Sequence, residues 1–237
     1  MSPEWFYFKG FKVAQGDVGL KINTDAILLG AWIKHITSEK ALEVGAGTGV
    51  ISCIYGHFQA HTQIDAIEIE SNAFQLCQRS FEFQQNNGLK AFHQNFLALE
   101  KNSYYDFIFS NPPYFNSHPG DSSRSVARQQ KHLDPPSFFE KCSAVSTPEA
   151  KLAVVLPISV LETWNYHALI NAWYPVKKCT YSDTPNKAPS RALLLYQKSY
   201  HANLREHFYL FELDGTPSSQ LKFLTEDIYL DLKGRGS

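Results

Sequence analysis

The sequence predicts an α/β fold in which a mostly parallel sheet carries helices on both faces. From about residue 40 onward, short apolar runs alternate with segments of helical period, which is typical of strands joined by crossover helices. A glycine-rich turn follows the first of these runs. Hydrophobic residues make up 43% of the 237-residue chain, enough to bury one sizeable core. We therefore expect a single domain over residues 1–237.

The apolar runs predict seven strands, which are Ala41–Val44, Gln63–Ile69, Lys90–His93, Tyr105–Ser110, Lys151–Leu156, Val176–Tyr181 and Ala192–Gln197. Residues 1–35 precede them as an N-terminal extension, in which Asn23 or Thr24 is expected to cap a helix. The serine-rich segment 116–134 has no apolar period, and we predict a long substrate-side loop there, which a compact domain of this size would keep either for function or as a disordered segment.

The helices between the strands are predicted from apolar residues at helical spacing. Phe74, Cys77 and Phe81 form one such stripe, and the segment opened by Pro157 carries another that includes Trp164. Stripes of this kind are the core-facing sides of helices.

Charge, cysteine spacing and the length of apolar runs limit which partners and locations we expect for this protein. Lys plus Arg number 22 against 23 Asp plus Glu, so a nucleic acid partner would need a local basic patch. The four cysteines lie far apart and form no CxxC pair, so we expect no metal site. No apolar run approaches the roughly 18 residues that cross a membrane, and we expect a soluble, cytoplasmic protein.

A candidate ligand-binding unit begins with Glu43-Val44-Gly45-Ala46-Gly47-Thr48-Gly49, which joins a strand to the helical segment 50–58. Glycines there let the backbone turn tightly and approach a nucleotide-like ligand. Glu68 ends the next strand, where an acid can accept hydrogen bonds from ribose hydroxyls. The third glycine comes one residue too early for an NAD fingerprint. The alternative is a plain turn with a solvated acid.

The strongest candidate for a reacting centre is Asn111-Pro112-Pro113-Tyr114, which directly follows a predicted strand. Proline has no N–H donor, so the amide oxygen of Asn111 and the carbonyl of Pro112 can both act as acceptors. Two acceptors suit an exocyclic NH2 group, because they favour in-line attack by its nitrogen and stabilise positive charge there. Tyr114 offers a face for stacking an extruded base. The alternative is a proline-rich turn whose tyrosine packs in the core.

These motifs resemble those of class I S-adenosylmethionine-dependent methyltransferases. Within that class, the Asn-Pro-Pro-Tyr string is shared by enzymes that methylate adenine, guanine or a glutamine of release factors. Residues 21–32, Lys-Ile-Asn-Thr-Asp-Ala-Ile-Leu-Leu-Gly-Ala-Trp, are similar to the N-terminal signature of the bacterial tRNA(Val) adenine-N6 methyltransferase family. Residues 224–230 are similar to its C-terminal segment, and the resemblance spans about Phe8 to Leu232. It implies a Rossmann-like fold.

The same resemblance implies S-adenosylmethionine as the cofactor. Asp25 would contact the ammonium group at the methionine end of this cofactor. An equal alternative is that Asp25 stands at a helix N-terminus, where the helix dipole favours an acidic residue. Asn95 stands where the family tends to have an acid, and its oxygen can accept from the adenine amino group. The full expected cofactor-binding set is Asp25, Glu43, Gly45, Gly47, Gly49, Glu68, Asn95 and Asn111.

The resemblance further implies that the substrate is the adenosine at position 37, next to the anticodon of tRNA(Val). The catalytic residues would be Asn111, Pro112 and Tyr114, and the substrate-binding residues would be Pro113, Tyr114, Arg124, Arg128 and Arg191. Basic residues of the 116–134 loop would contact RNA phosphates. Gln129 stands where the family commonly has His, which bears on substrate choice. Open alternatives are rRNA guanine-N2 methylation, release-factor glutamine-N5 methylation and an RNA-binding adaptor without turnover. Oligomeric state is not determined.

Overall fold

The computed structural model describes residues 4–16, 22–100, 104–113 and 133–232. The strands in these ranges are β1 Trp5–Tyr7, β2 Lys12–Ala14, β3 Lys40–Val44, β4 Gln63–Glu68, β5 Leu89–His93, β6 Tyr105–Ser110, β7 Ser146–Pro157, β8 Tyr174–Ser182, β9 Arg191–Gln197 and β10 Leu204–Tyr209. The helices are α1 Thr24–Ile33, α2 Val50–Phe58, α3 Ser71–Phe81, α4 Pro135–Val145, α5 Leu161–Ile170 and α6 Ser219–Thr225.

The central sheet has the order β10-β8-β9-β7-β6-β3-β4-β5. Strand β9 is antiparallel to both of its neighbours, and every other pair is parallel. The predicted mostly parallel sheet is therefore confirmed. The chain runs outward from β3 to β5 and then returns to β6 on the other side of β3. Strand order reverses between β3 and β6, and such a switch point opens a crevice at the carboxyl ends of the strands.

The predicted number of seven strands is wrong by one, because β10 adds an eighth strand to the sheet among the described residues. Within the described ranges β10 pairs with β8 alone, and residues 204–207 are exposed. An edge strand of this kind carries charged residues and shows no apolar run in the sequence. The N-terminal extension also contains an unpredicted hairpin, β1–β2. The seven predicted strands are all present.

Two hydrophobic layers cover the sheet, as alternation along β6 shows. Phe107 and Phe109 pack in the layer that contains α1 and α2, whereas Ile108 packs with α4 and α5 in the other. Burying one such side chain completely stabilises the fold by about 1.5–3 kcal/mol. Since both faces are covered, consecutive residues of a central strand are apolar, as in Phe107-Ile108-Phe109 of β6, which is expected for parallel strands.

Helix α1 lies in the core and begins beside the crevice. Asn23 is its N-cap and accepts from the backbone N–H of Ala26 at 2.8 Å, which confirms the predicted cap. Gly30 permits close packing on α2, because a Cβ there would lie 3.0 Å from Ile54. At the other end of α1, Lys34 forms an ion pair with Asp227 at 2.6 Å. Both ends of the helix are thus fixed. No helix in the described ranges is long and apolar enough to cross a membrane.

Candidate active site

The carboxyl ends of β3 and β6 lie side by side. Val44 and Ser110 are partners in the register of these two strands, and the buried Ser110 hydroxyl donates to the Val44 carbonyl at 2.7 Å. The glycine turn begins immediately after Val44, and Asn111 immediately follows Ser110. Two motifs that are more than 60 residues apart in the sequence therefore emerge next to each other at the switch point.

The first two glycines of the turn shape a space for a ligand. Gly45 and Gly47 have φ angles of +70° and +57°, in the left-handed region that favours glycine. A Cβ at either position would meet no atom within 4 Å. The turn is held in place because the Gly45 and Ala46 N–H groups both donate to the Ile67 carbonyl, at 2.9 and 3.0 Å. A ligand can therefore approach the backbone closely at these glycines.

The third glycine serves packing instead. Gly49 also has a left-handed φ of +77°, but a Cβ there would lie 2.8 Å from both Cys77 Sγ and Phe81 Cε1. Both contacts come from α3, which packs closely against the start of α2. Gly49 is therefore needed for the approach of two helices, and its place in the predicted cofactor-binding set stays a prediction.

Glu68 at the end of β4 ties the turn to the neighbouring strand. Its Oε2 accepts from the Gly47 N–H at 2.8 Å, and its Oε1 accepts from the Glu70 N–H at 2.8 Å. Each carboxylate oxygen has a second lone pair, so Glu68 can hold the turn and still accept from a ribose hydroxyl. Its side chain is thus part of the crevice wall.

Glu43 lies beneath the turn and is almost completely buried. Its Oε2 accepts from the backbone N–H and from the hydroxyl of Ser52. Its Oε1 has no hydrogen-bond partner among the described residues. Burial raises the pKa of Glu43 from 4.5 to about 8, against the opposing effect of the Ser52 hydrogen bonds. A buried polar atom without a partner in the protein is a position that a bound ligand can satisfy.

These groups fit a nucleoside ligand that also carries a cation. Open space lies over Gly45 and Gly47, and the acidic side chains of Glu43 and Glu68 offer acceptors to hydroxyl or ammonium donors. Among the described residues, no cluster of three His, Cys, Asp or Glu side chains could hold a metal ion. The four cysteines are buried and form no disulfide.

Asn95 lies at the same edge of the sheet, just beyond β5. The N–H of the preceding Gln94 donates to the Glu68 carbonyl at 3.0 Å, which keeps this segment beside the crevice. Asn95 is exposed, and its Oδ1 accepts from the Leu97 N–H at 2.9 Å. One lone pair of that oxygen is thus committed to a local turn, and contact with the adenine of the cofactor stays a prediction.

At the reacting corner, Asn111 is half-buried, Pro112 is buried and Pro113 is exposed. Asn111 Nδ2 donates to Asn23 Oδ1 at 3.3 Å, a contact between residues 88 positions apart. Sequence reasoning treated Asn23 only as a helix cap. No spacing in the sequence indicates this contact, because it depends on how α1 packs against the sheet.

Asp25 and Arg191, predicted for cofactor and substrate respectively, meet each other in the structure. Asp25 Oδ2 accepts from Arg191 Nε at 2.9 Å, and Asp25 Oδ1 accepts from the Tyr181 hydroxyl at 2.7 Å. They line a cavity of about 380 Å³ between the start of α1 and the β8–β9 connection. Tyr181 was not predicted as part of the site. A cofactor role for Asp25 and a substrate role for Arg191 stay predictions.

Several predicted substrate residues lie outside the described residues. These are Tyr114, Arg124 and Arg128, together with most of the predicted loop 116–134. Of that loop, Leu133 and Asp134 are described, and Asp134 caps α4 by accepting from the Ser137 N–H at 2.9 Å.

Comparison with known proteins agrees with this geometry. Residues 21–134 match the family model for the methyltransferase small domain. The tRNA1(Val) (adenine(37)-N6)-methyltransferase of Vibrio vulnificus strain YJ016 is 30% identical over 237 residues, and the match covers 98% of each chain.

Solved structures share the fold. A predicted O-methyltransferase of Agrobacterium tumefaciens superposes with a TM-score of 0.66 at 12% identity, covering 86% of this chain and 96% of its own. The TYW2 protein of M. jannaschii, crystallised in complex with AdoMet, superposes with a TM-score of 0.58 at 10% identity, covering 81% of this chain and 84% of its own. The Rossmann-like class I methyltransferase fold predicted from the sequence is confirmed. With a 30%-identical relative matched over nearly its full length, the chain belongs to the tRNA1(Val) (adenine(37)-N6)-methyltransferase family.

Proposed function

We propose that this protein transfers a methyl group from S-adenosylmethionine to the N6 atom of an adenine in tRNA. The observation that carries the proposal is the pairing of Val44 with Ser110, which brings the ligand space over the glycines next to the Asn111 corner. The names of its relatives support the finer assignment to adenosine 37, beside the anticodon of tRNA1(Val).

Residues on the β3–β4 side would hold the cofactor. Glu68 would accept from the ribose, Gly45 and Gly47 would leave room for the nucleoside, and Glu43 would supply an acceptor beneath the turn. When bound, S-adenosylmethionine supplies an electrophilic methyl group on a sulfonium sulfur. The open turn and the acceptor-rich wall support this ligand, as does AdoMet bound to a protein of the same fold.

The Asn111 corner would prepare the target amine. The nitrogen lone pair of adenine N6 is delocalised into the ring, so the amine is a weak nucleophile. Hydrogen bonds from its two N–H groups to Asn111 Oδ1 and to the Pro112 carbonyl would favour the geometry of in-line attack and stabilise positive charge developing on nitrogen. Pro112 and Pro113 contribute no N–H that could compete for these acceptors. The methylated nitrogen can lose its proton to water, so no strong base is required.

The remaining substrate contacts are proposed on the β8–β9 side and in the segment predicted from the sequence to follow Pro113 as a loop. Tyr114 would stack on the extruded base, and Arg124, Arg128 and Arg191 would contact RNA phosphates. The net charge of −1 gives the chain no global attraction for RNA, so these local cations would make binding sensitive to salt.

The test is transfer of radiolabelled methyl to tRNA from cells lacking this modification, followed by nucleoside analysis. The expected product is N6-methyladenosine at position 37 of tRNA1(Val). Methylguanosine or a methylated release factor would replace the proposal with one of its enzyme alternatives. RNA binding without any methyl transfer would indicate an adaptor.

A further inference from the structure

The N-cap residue of α1, Asn23, contacts the predicted reacting residue Asn111. Asn23 Oδ1 accepts from the Ala26 N–H at 2.8 Å and from Asn111 Nδ2 at 3.3 Å. One oxygen therefore receives two donors, one from the helix backbone and one from the reacting corner. Asn23 is not part of the cofactor-binding or substrate-binding sets that the sequence predicts.

This pair of hydrogen bonds favours one orientation of the Asn111 side-chain amide. A backbone N–H can only donate, so the Asn23 atom that faces Ala26 must be the carbonyl oxygen. Because the same oxygen faces Asn111, Asn111 must present its NH2 group there. Its Oδ1 is consequently directed away from α1. These two hydrogen bonds therefore favour one of the two orientations of the Asn111 amide.

We propose that Asn23 is a positioning residue that selects the Asn111 orientation in which Oδ1 can accept from the target amine. The inference rests on the proposed function of Asn111. In the opposite orientation, Asn111 would present its side-chain NH2 to the NH2 group of the target base, so two hydrogen-bond donors would face each other. One acceptor would be lost, and the amine would be repelled from the attacking geometry.

The position of Asn23 is itself held from the sheet. Asp25, two residues further on, accepts from the Tyr181 hydroxyl at 2.7 Å and from Arg191 Nε at 2.9 Å. Tyr181 is near the end of β8, and Arg191 begins β9. The start of α1 is thus tied to two strands that lie on the β7 side of β6. A fixed helix start lets Asn23 act as a rigid acceptor.

Three substitutions at Asn23 separate capping from positioning. Asn23→Asp retains a cap and an acceptor of the same length, and a negative charge is favourable at a helix N-terminus. Asn23→Ser retains the cap, but its hydroxyl is one atom shorter and falls short of Asn111. Asn23→Ala removes both hydrogen bonds.

Methyl transfer to tRNA is measured for each variant as kcat and KM, together with Tm. We expect Asn23→Ser to keep a Tm near that of the unmodified protein but to lose roughly tenfold in kcat, with KM little changed, because the amine is misaligned after binding. Asn23→Asp is expected to recover kcat. The inference is overturned if Asn23→Ser has unchanged kcat, or if Asn23→Asp is as slow as Asn23→Ala.

A second measurement does not require turnover. The side-chain NH2 signals of Asn111 can be identified in a nitrogen–proton NMR spectrum by their absence from Asn111→Ala. We expect a downfield, hydrogen-bonded proton in the unmodified protein and in Asn23→Asp, and its loss in Asn23→Ser. The same Asn111 signals in all three proteins would overturn the positioning role. Absence of transfer by the unmodified protein, with the NMR pattern as expected, would instead count against the proposed function alone.

Discussion

The two sides of the crevice are built in different ways. The cofactor side consists of residues 43–49 and Glu68, which lie within 26 positions of one another and are held mostly by backbone hydrogen bonds. The substrate side joins residues 23–25 to Asn111, Tyr181 and Arg191, across separations of 88 to 166 positions. A ligand shared by many enzymes can be held by a local turn, whereas the substrate-side contacts depend on how distant segments pack.

The largest effect is expected from Asn111→Ala on the substrate side. Because the side chain serves the target amine, methyl transfer should fall by roughly 10²–10³-fold or more, the range seen when one preorganised hydrogen-bond partner is removed. Affinity for S-adenosylhomocysteine, measured by calorimetry, should change little. Asn87→Ala is the control, since this exposed asparagine precedes β5 at the opposite edge of the sheet. A comparable loss of cofactor affinity would show that Asn111 belongs to the cofactor side.

On the cofactor side, Glu43 predicts a pH dependence of stability. Its pKa is raised from 4.5 to about 8, so between these values the folded state binds a proton that the unfolded state does not. Stability associated with this group therefore falls as pH rises through that window, by at most about 1.4 kcal/mol per pH unit, and levels off above about 8.

Glu43→Gln removes this titration. We expect the free energy of unfolding of this variant, relative to that of the unmodified protein, to rise by about 2 kcal/mol between pH 6 and pH 8. The measurement is urea unfolding of the free protein. The exposed Glu39, changed to Gln, is the matched control. If both variants follow the same pH profile as the unmodified protein, Glu43 does not carry the shifted proton.

Two substitutions in the glycine turn are expected to differ, one mainly weakening ligand binding and the other mainly lowering stability. Gly47→Ala places a Cβ in open ligand space at a left-handed φ, so affinity for S-adenosylhomocysteine should fall about tenfold while stability falls by about 1–2 kcal/mol. Gly49→Ala has the same backbone strain and in addition forces its Cβ against Cys77 and Phe81. Thermal unfolding should therefore show a larger loss for Gly49→Ala. Equal losses of Tm in the two variants would contradict this division.

The smallest effect is expected from Asp25→Asn. Both carboxylate oxygens of Asp25 have protein donors, Tyr181 and Arg191, so the change should weaken the start of α1 by about 1 kcal/mol and slow methyl transfer a few-fold. Affinity for S-adenosylhomocysteine should stay the same. Glu206→Gln, which removes a surface ion pair with Lys177, is the control. A large loss of cofactor affinity in Asp25→Asn would instead support the predicted contact with the methionine ammonium.

Much of the fold could be predicted because buried parallel strands must be apolar on both faces. Strands such as β3 and β6 therefore stand out in the sequence, and the turn that follows β3 is marked by glycines whose positive φ angles require that residue type. The hairpin β1–β2 and the edge strand β10 could not be predicted in this way. Each strand of the hairpin is only three residues long, and the first four residues of β10 are exposed and mostly polar, so neither shows the long apolar run of a buried parallel strand.

The sequence by itself determined seven strands of the sheet, the glycine turn with its acidic partner and the proline-bearing corner, because each of these has a pattern that is readable over a short stretch of the chain. Only the tertiary structure decided that Asn23 faces Asn111 and that Asp25 pairs with Arg191. Hydrogen bonds between side chains act only over about 3 Å. Which of them form is therefore determined by the packing of α1 against the sheet.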